Sequence, residues 1–171
     1  MKIFLIGYMG SGKSTVGKHL AEKLALKFID LDDYIEKESG KTIPEIFEKE
    51  GEEKFRSMER VFLEQIIKKD NAVIALGGGT PCFHNNMGLI LKNGVSVYMQ
   101  MEPGALVKRL IKARRKRPLI EGMNEVDLQF FIEANLEKRL PYYIQATHIV
   151  KSENQSAEEL ANKIELLVKK K

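Results

Sequence analysis

Apolar positions in this chain alternate between two periods from one end to the other. Residues 3–6 (Ile-Phe-Leu-Ile), 71–76 (Asn-Ala-Val-Ile-Ala-Leu) and 94–101, with Val95, Val97, Tyr98 and Met99, have the length and content of strands buried on both faces. Residues 27–33 predict another short strand, carrying Asp30 and Asp32 near its C-terminal end, and 148–150 a last one. Between them the period lengthens. Residues 13–26 hold Val16, Leu20 and Leu24 at helical spacing, and 52–69 hold Phe55, Met58 and Phe62 as one stripe. A short helix finishes at 36–40. Thr42-Ile-Pro-Glu45 is a capping-box pattern with proline early in the first turn, opening a helix that ends by Gly51. Residues 84–92, 103–113 and 156–169 read as further helices. So does 124 to about 140, with Val126, Phe130 and Leu136 or Phe131 inward and Pro141 ending or kinking it. Alternating strands and helices predict an α/β domain of three layers, a parallel sheet of about five strands with helices on both faces.

Length and composition fit one domain over residues 1–171, with 43% hydrophobic and 30% charged residues. No apolar run approaches the roughly 20 residues of a membrane helix, and the apolar start is too short for a signal peptide, so a cytoplasmic protein without a membrane partner is expected. The single cysteine, Cys82, excludes an internal disulfide and reads as a packed or loop residue in a reducing compartment. The net charge of +4 is local: residues 108–117 hold seven basic side chains and no acidic one, so the rest of the chain is net acidic. One compact basic segment suits a small polyanion better than a nucleic acid.

Chemistry enters at Gly7-Tyr-Met-Gly-Ser-Gly-Lys-Ser-Thr15, where the first strand stops and the first helix starts. Gly7, four residues, then Gly12-Lys13-Ser14 is a phosphate loop. The backbone through Gly10, Ser11, Gly12, Lys13, Ser14 and Thr15 turns amide N–H groups toward phosphate oxygens. Lys13 adds charge for the β- and γ-phosphates, Ser14 offers a hydroxyl to Mg²⁺, and the helix dipole points at the same place. Binding of a nucleoside triphosphate follows. Asp30 and Asp32, two apart, share a face while extended and look toward this loop. Gly77-Gly78-Gly79 after a strand costs chain entropy, which suggests that something approaches the backbone closely. Arg56 and Glu59, three apart on a helix, form an ion pair on the face beside the apolar stripe. Neither the strand-end Asp-Glu of many ATP-hydrolysing machines nor an Asn-Lys-x-Asp guanine reader is present.

The ordered set of motifs resembles the shikimate kinases from end to end: the phosphate loop at 7–15, Phe-Ile-Asp-Leu-Asp at 28–32, Phe-Arg-x-x-Glu at 55–59, Gly-Gly-Gly-Thr at 77–80, Arg-Pro-Leu at 117–119 and Lys-Arg-x-Pro-Tyr-Tyr at 138–143. The resemblance implies a P-loop kinase fold like that of nucleoside monophosphate kinases, with a substrate-binding region near 32–60 and a mobile lid near 113–123. It implies transfer of the ATP γ-phosphoryl group, with Mg²⁺, to the 3-hydroxyl of shikimate, on the way to chorismate and the aromatic amino acids.

By the same resemblance, Arg56 and Arg139 clamp the shikimate carboxylate, Glu59 holds Arg56, Gly78 offers its backbone, and Asp32 accepts from the ring hydroxyls and takes the proton. Ser14 ligates Mg²⁺ with Asp30 in its outer shell. Lys13 and Arg117 neutralise charge on the transferred group, Arg117 arriving as the lid closes. Arg109 aligns with an arginine that stacks on adenine, one residue farther from the Arg117-Pro118 pair than the family spacing. Residues 151–156 lack the Arg and Pro of the family's adenine loop, and Arg114, Arg115 and Lys116 read as solvated lid charges. A monomer is expected. Gluconate kinase and nucleoside monophosphate kinase are the nearest rivals, although few arginines lie near 30–60 to hold a phosphate acceptor; an RNA-binding regulator using 108–117 is the other.

Overall fold

The computed structural model describes residues 1–113 and 120–169. The strands β1 (Lys2–Ile6), β2 (Lys27–Asp30), β3 (Ala72–Ala75), β4 (Val95–Gln100) and β5 (His148–Lys151) form one five-stranded sheet in the order β2-β3-β1-β4-β5, every neighbouring pair parallel. Pleating divides the core. Phe4 and Ile6 of β1 face a layer built from α2 (Leu31–Ser39), α3 (Ile43–Ile67) and α4 (Asn86–Asn93), while Ile3 and Leu5 face α1 (Lys13–Lys23) and α7 (Ala157–Lys169). A third cluster ties Tyr8 to α5 (Pro103–Lys112) and α6 (Glu125–Tyr143). No helix among the described residues is long and apolar enough to cross a membrane.

Local chemistry sets the boundaries. Thr42 and Glu45 make both bonds of the capping box, and Gly51 (φ 82°, ψ 168°) kinks α3 where a helix end was expected. The second strand stops sooner than its apolar pattern suggests. The Asp30 carboxylate accepts from the Asp32 backbone N–H and caps α2, so Asp32 lies in a first helical turn, and the two aspartates do not share a strand face. The helix expected from residue 84 begins at Asn86, because His84 and Asn85 are both left-handed (φ 49° and 55°). α1 ends at Lys23, three residues early, with Ala25 also left-handed.

In α6 the inward stripe differs from the expected one. Leu128 and Ile132 are buried, whereas Val126 and Phe130 are 63% and 68% exposed. Both pairs have the same spacing of four; the partner surface of α5 (Leu106, Val107, Leu110) selects the first. Pro141 does not end this helix, which runs on to Tyr143.

Close contact between α1 and the sheet depends on one missing side chain. A Cβ on Gly17 would stand 2.5 Å from Phe28 Cε2 and 3.1 Å from Leu5 Cδ1. Gly17→Ala therefore gains about 1 kcal/mol of helix propensity but overpacks the layer, and a net loss of about 1–2 kcal/mol is expected. A lower urea midpoint at unchanged slope is the sign to look for; an equal or higher midpoint would show that the Phe28 ring simply moves aside.

Candidate active site

β1 and β3 are parallel neighbours, so the loops that leave their C-terminal ends emerge side by side. The first is the phosphate loop. Gly10 and Gly12 adopt φ of 83° and 92°, conformations open to glycine, and Gly12 caps α1 without a side-chain hydrogen bond, leaving the helix N-terminus to an anion. Lys13 is buried, its Nζ donating to the carbonyls of Gly7 and Tyr8 at 2.9 and 3.0 Å. Ser11 is also buried, and its hydroxyl has no partner among the described residues. Ser14 Oγ donates to Asp30 Oδ2 at 2.5 Å. That hydroxyl and carboxylate beside a phosphate cradle fit Mg²⁺, which is commonly held by one or two protein oxygens together with substrate phosphates and water.

The second loop is Gly77-Gly78-Gly79, and each glycine touches a different charged side chain. A Cβ on Gly77 would stand 2.9 Å from Asp32 Oδ1; on Gly78, 3.1 Å from Arg139 Nη1 and 3.4 Å from Gly7 O; on Gly79, 2.5 Å from Arg56 Nη2. The three glycines are therefore required by crowding and do not form a slack turn. A cavity of about 270 Å³ opens between the two loops, lined by Gly10, Gly12, Lys13, Ser14, Thr15, Asp30, Asp32, Gly77 and Gly78 among others.

Arg56 and Glu59 do pair, but in the interior and not on an exposed helix face: Arg56 Nη1 donates to Glu59 Oε2 at 2.9 Å, and their side chains are 10% and 1% exposed. Glu52 takes Nε and Nη2 of the same guanidinium, and the Phe83 ring lies 4.2 Å from its centre. Arg139, half-buried, rests over the Tyr8 ring at 5.1 Å. Cys82 lies within the electrostatic reach of both arginines. Even so, burial pushes its thiol up to about 11, which leaves it protonated and unreactive at neutral pH.

Three supports were not assigned from the sequence. Tyr143 donates its hydroxyl to Gly78 O at 2.5 Å, and burial holds that phenol well above its ordinary range, so it remains a donor. Thr80 donates to Glu59 Oε1, and Phe83 stacks on Arg56. The tyrosine contact spans 65 positions in the chain, beyond the reach of any local pattern.

On the far side of the phosphate loop, Arg109 is exposed and its Nη1 lies 3.5 Å from Gly10 O. It borders a second cavity of about 640 Å³ with Glu102, Lys108, Glu153, Asn154 and Gln155, which brings the segment 151–156 to the same place as Arg109. Arg117, with Arg114, Arg115, Lys116 and most of the expected lid, falls outside the described residues.

The family model for shikimate kinase matches residues 9–169. Shikimate kinase of Azobacteroides pseudotrichonymphae is 49% identical over 147 residues, covering 85% of this chain and 86% of its own length. Among solved structures, shikimate kinase from Bacteroides thetaiotaomicron superposes with a TM-score of 0.94 at 40% identity, covering 98% of this chain and 97% of that one. Shikimate kinase from Acinetobacter baumannii in complex with shikimate superposes with a TM-score of 0.91 at 36% identity, covering 99% and 95%. By the extent of that family match and these identities, this chain belongs to the shikimate kinase family.

Proposed function

We propose that this chain transfers the γ-phosphoryl group of ATP to the 3-hydroxyl of shikimate, giving shikimate 3-phosphate, as a cytosolic monomer that needs neither membrane nor nucleic acid. The observation that carries this reading is the three-glycine loop, which stands against the phosphate cradle at Gly78 and has Asp32, Arg139 and Arg56 each packed against one of its glycines. Those side chains suit a small ring acid: guanidinium groups for the carboxylate and a carboxylate acceptor for the alcohols.

In this mechanism Arg56 and Arg139 grip the substrate carboxylate, which sets the ring, while the Gly78 backbone flanks it. Asp32 accepts the 3-hydroxyl proton and aims its oxygen at the γ-phosphorus. The hydroxyl oxygen forms the new P–O bond as the bond to the β-phosphate oxygen breaks, and ADP leaves. In a loose transition state this positioning outweighs basicity. Lys13 neutralises charge on the transferred group, joined by Arg117 from the lid. The amides of Gly10 to Thr15 hold the phosphates. Ser14 would hold Mg²⁺, with Asp30 fixing the serine, and a bound magnesium ion would supply charge neutralisation at the phosphates. Arg109 and residues 153–155 would receive the base.

The direct test compares phosphotransfer from Mg·ATP to shikimate, gluconate and nucleoside monophosphates. Selective turnover of shikimate is expected, and equal neglect of it would overturn the assignment. Asp32→Asn should lower kcat about 10²- to 10⁴-fold while ATP still binds; a near-normal rate would remove Asp32 from the chemistry. Arg139→Ala should raise the KM for shikimate about 10- to 100-fold and leave that for ATP unchanged, so an unaltered shikimate KM takes it out of the clamp. For Arg117→Ala, single-turnover kinetics should show a phosphoryl-transfer step slowed about 10³-fold with nucleotide affinity nearly intact. The reverse pattern would make it a nucleotide-binding residue.

A further inference from the structure

Arg56 carries five N–H donors, of which three are committed to Glu52 and Glu59, leaving one on each terminal nitrogen for a ligand carboxylate. Which N–H groups remain depends on how Glu59 is held. Its carboxylate is almost wholly buried, with Oε2 on Arg56 and Oε1 receiving the Thr80 hydroxyl at 2.5 Å. Thr80 is itself fixed: it is 0% exposed, its carbonyl accepts from Asn86 Nδ2 at 2.9 Å, and Asn86 Oδ1 accepts from Arg60 Nη1 at 3.1 Å. Arg60 also donates to His84 O, within the left-handed pair that precedes α4.

We propose that Thr80 is a positioning residue for acceptor binding: its hydroxyl occupies one oxygen of Glu59 so that only the other engages Arg56, which leaves the guanidinium turned toward the substrate carboxylate. Without that donor, Oε1 is a buried oxygen that has lost its partner, and the guanidinium already bonded to Oε2 carries N–H groups beyond those engaged with Glu52 and Glu59. The carboxylate then turns to take a second one, and the clamp loses a donor. The chain Arg60, Asn86, Thr80, Glu59, Arg56 sets the clamp from the rear, and Thr80 is the link whose hydroxyl can be removed at nearly constant volume. This inference rests on the acceptor reading given above.

The experiment is steady-state kinetics on Thr80→Val, Thr80→Ala and Thr80→Ser, in the wild-type and Arg56→Ala backgrounds, with circular dichroism to confirm folding. Thr80→Val should raise the KM for shikimate about 10-fold while leaving the KM for ATP unchanged and kcat within about 3-fold. Thr80→Ser, which keeps the hydroxyl, should return the shikimate KM to within about 2-fold. In the Arg56→Ala background Thr80→Val should add nothing, because the group it orients is gone. Thr80→Ala serves if the valine variant does not fold. An unaltered shikimate KM, an equal loss with serine, a matching rise in the ATP KM or a penalty that persists without Arg56 would each overturn the proposal. If the wild-type enzyme neglects shikimate and phosphorylates gluconate, the functional reading falls, but the same comparison run on gluconate still decides the role of Thr80. That acid would meet the same arginine.

Discussion

Three α-carbons without side chains set the geometry of this active site. Gly77, Gly78 and Gly79 leave β3 beside the phosphate loop, and the space that their side chains would fill is taken by Asp32, Arg139 and Arg56. Any larger residue would displace one of these charged groups, so the loop holds them and the phosphate loop at a fixed spacing. Tyr143 and the Asn86 amide hold the Gly78 and Thr80 carbonyls from beneath, which keeps a chain of glycines from sampling the conformations that its composition would allow. The topology supplies the rest. The chain leaves β1 toward one edge of the sheet and β4 toward the other, so the crevice at the carboxyl ends lies where the phosphate loop begins.

Such a site is costly to fold. An ion pair out of water does not by itself favour the native state, since desolvation offsets much of the Coulomb gain, and removing one partner typically costs about 3–5 kcal/mol. Under the proposed mechanism that cost has a use, since a guanidinium stripped of water and fixed in direction would bind a carboxylate with little further ordering. The hydrophobic clusters on the two faces of the sheet, and the third around Tyr8, hold the pair in place.

Much of this was legible in the sequence, for physical reasons. Short apolar runs and 3.6-residue stripes reflect burial, which the sheet imposes along its whole length, and the phosphate loop and the glycine triplet mark places where the backbone meets something closely. Failures arose where local patterns were degenerate. Val126–Phe130 and Leu128–Ile132 have identical spacing, and only the surface of α5 separates them. Asp32 follows Asp30 at strand spacing and could extend β2, yet the Asp30 carboxylate ends the strand by capping α2, which puts Asp32 in a helical turn. The burial of Arg56 and Glu59 was invisible because periodicity assigns charges to the outside, and the tyrosine beneath Gly78 arrives from the other end of the chain.

The two ends of the cleft are built to different tolerances, and this bears on which substrate the protein selects more strictly. At the acceptor end Arg56 has two carboxylate partners and a stacked ring, its main partner Glu59 has two donors, and all three of Arg56, Glu59 and Thr80 are buried. At the donor end Arg109 is exposed, with a single long contact to Gly10 O among the described residues, and segment 153–155 is fixed to α5 through the bond from Glu102 N to the Glu153 carboxylate. A preorganised wall penalises a wrong ligand by leaving its own buried groups unpaired; an exposed side chain re-solvates at little cost. Under the proposed mechanism, discrimination would therefore fall on the acid and its hydroxyls, while the triphosphate would be held mainly by backbone amides that are the same for every nucleotide.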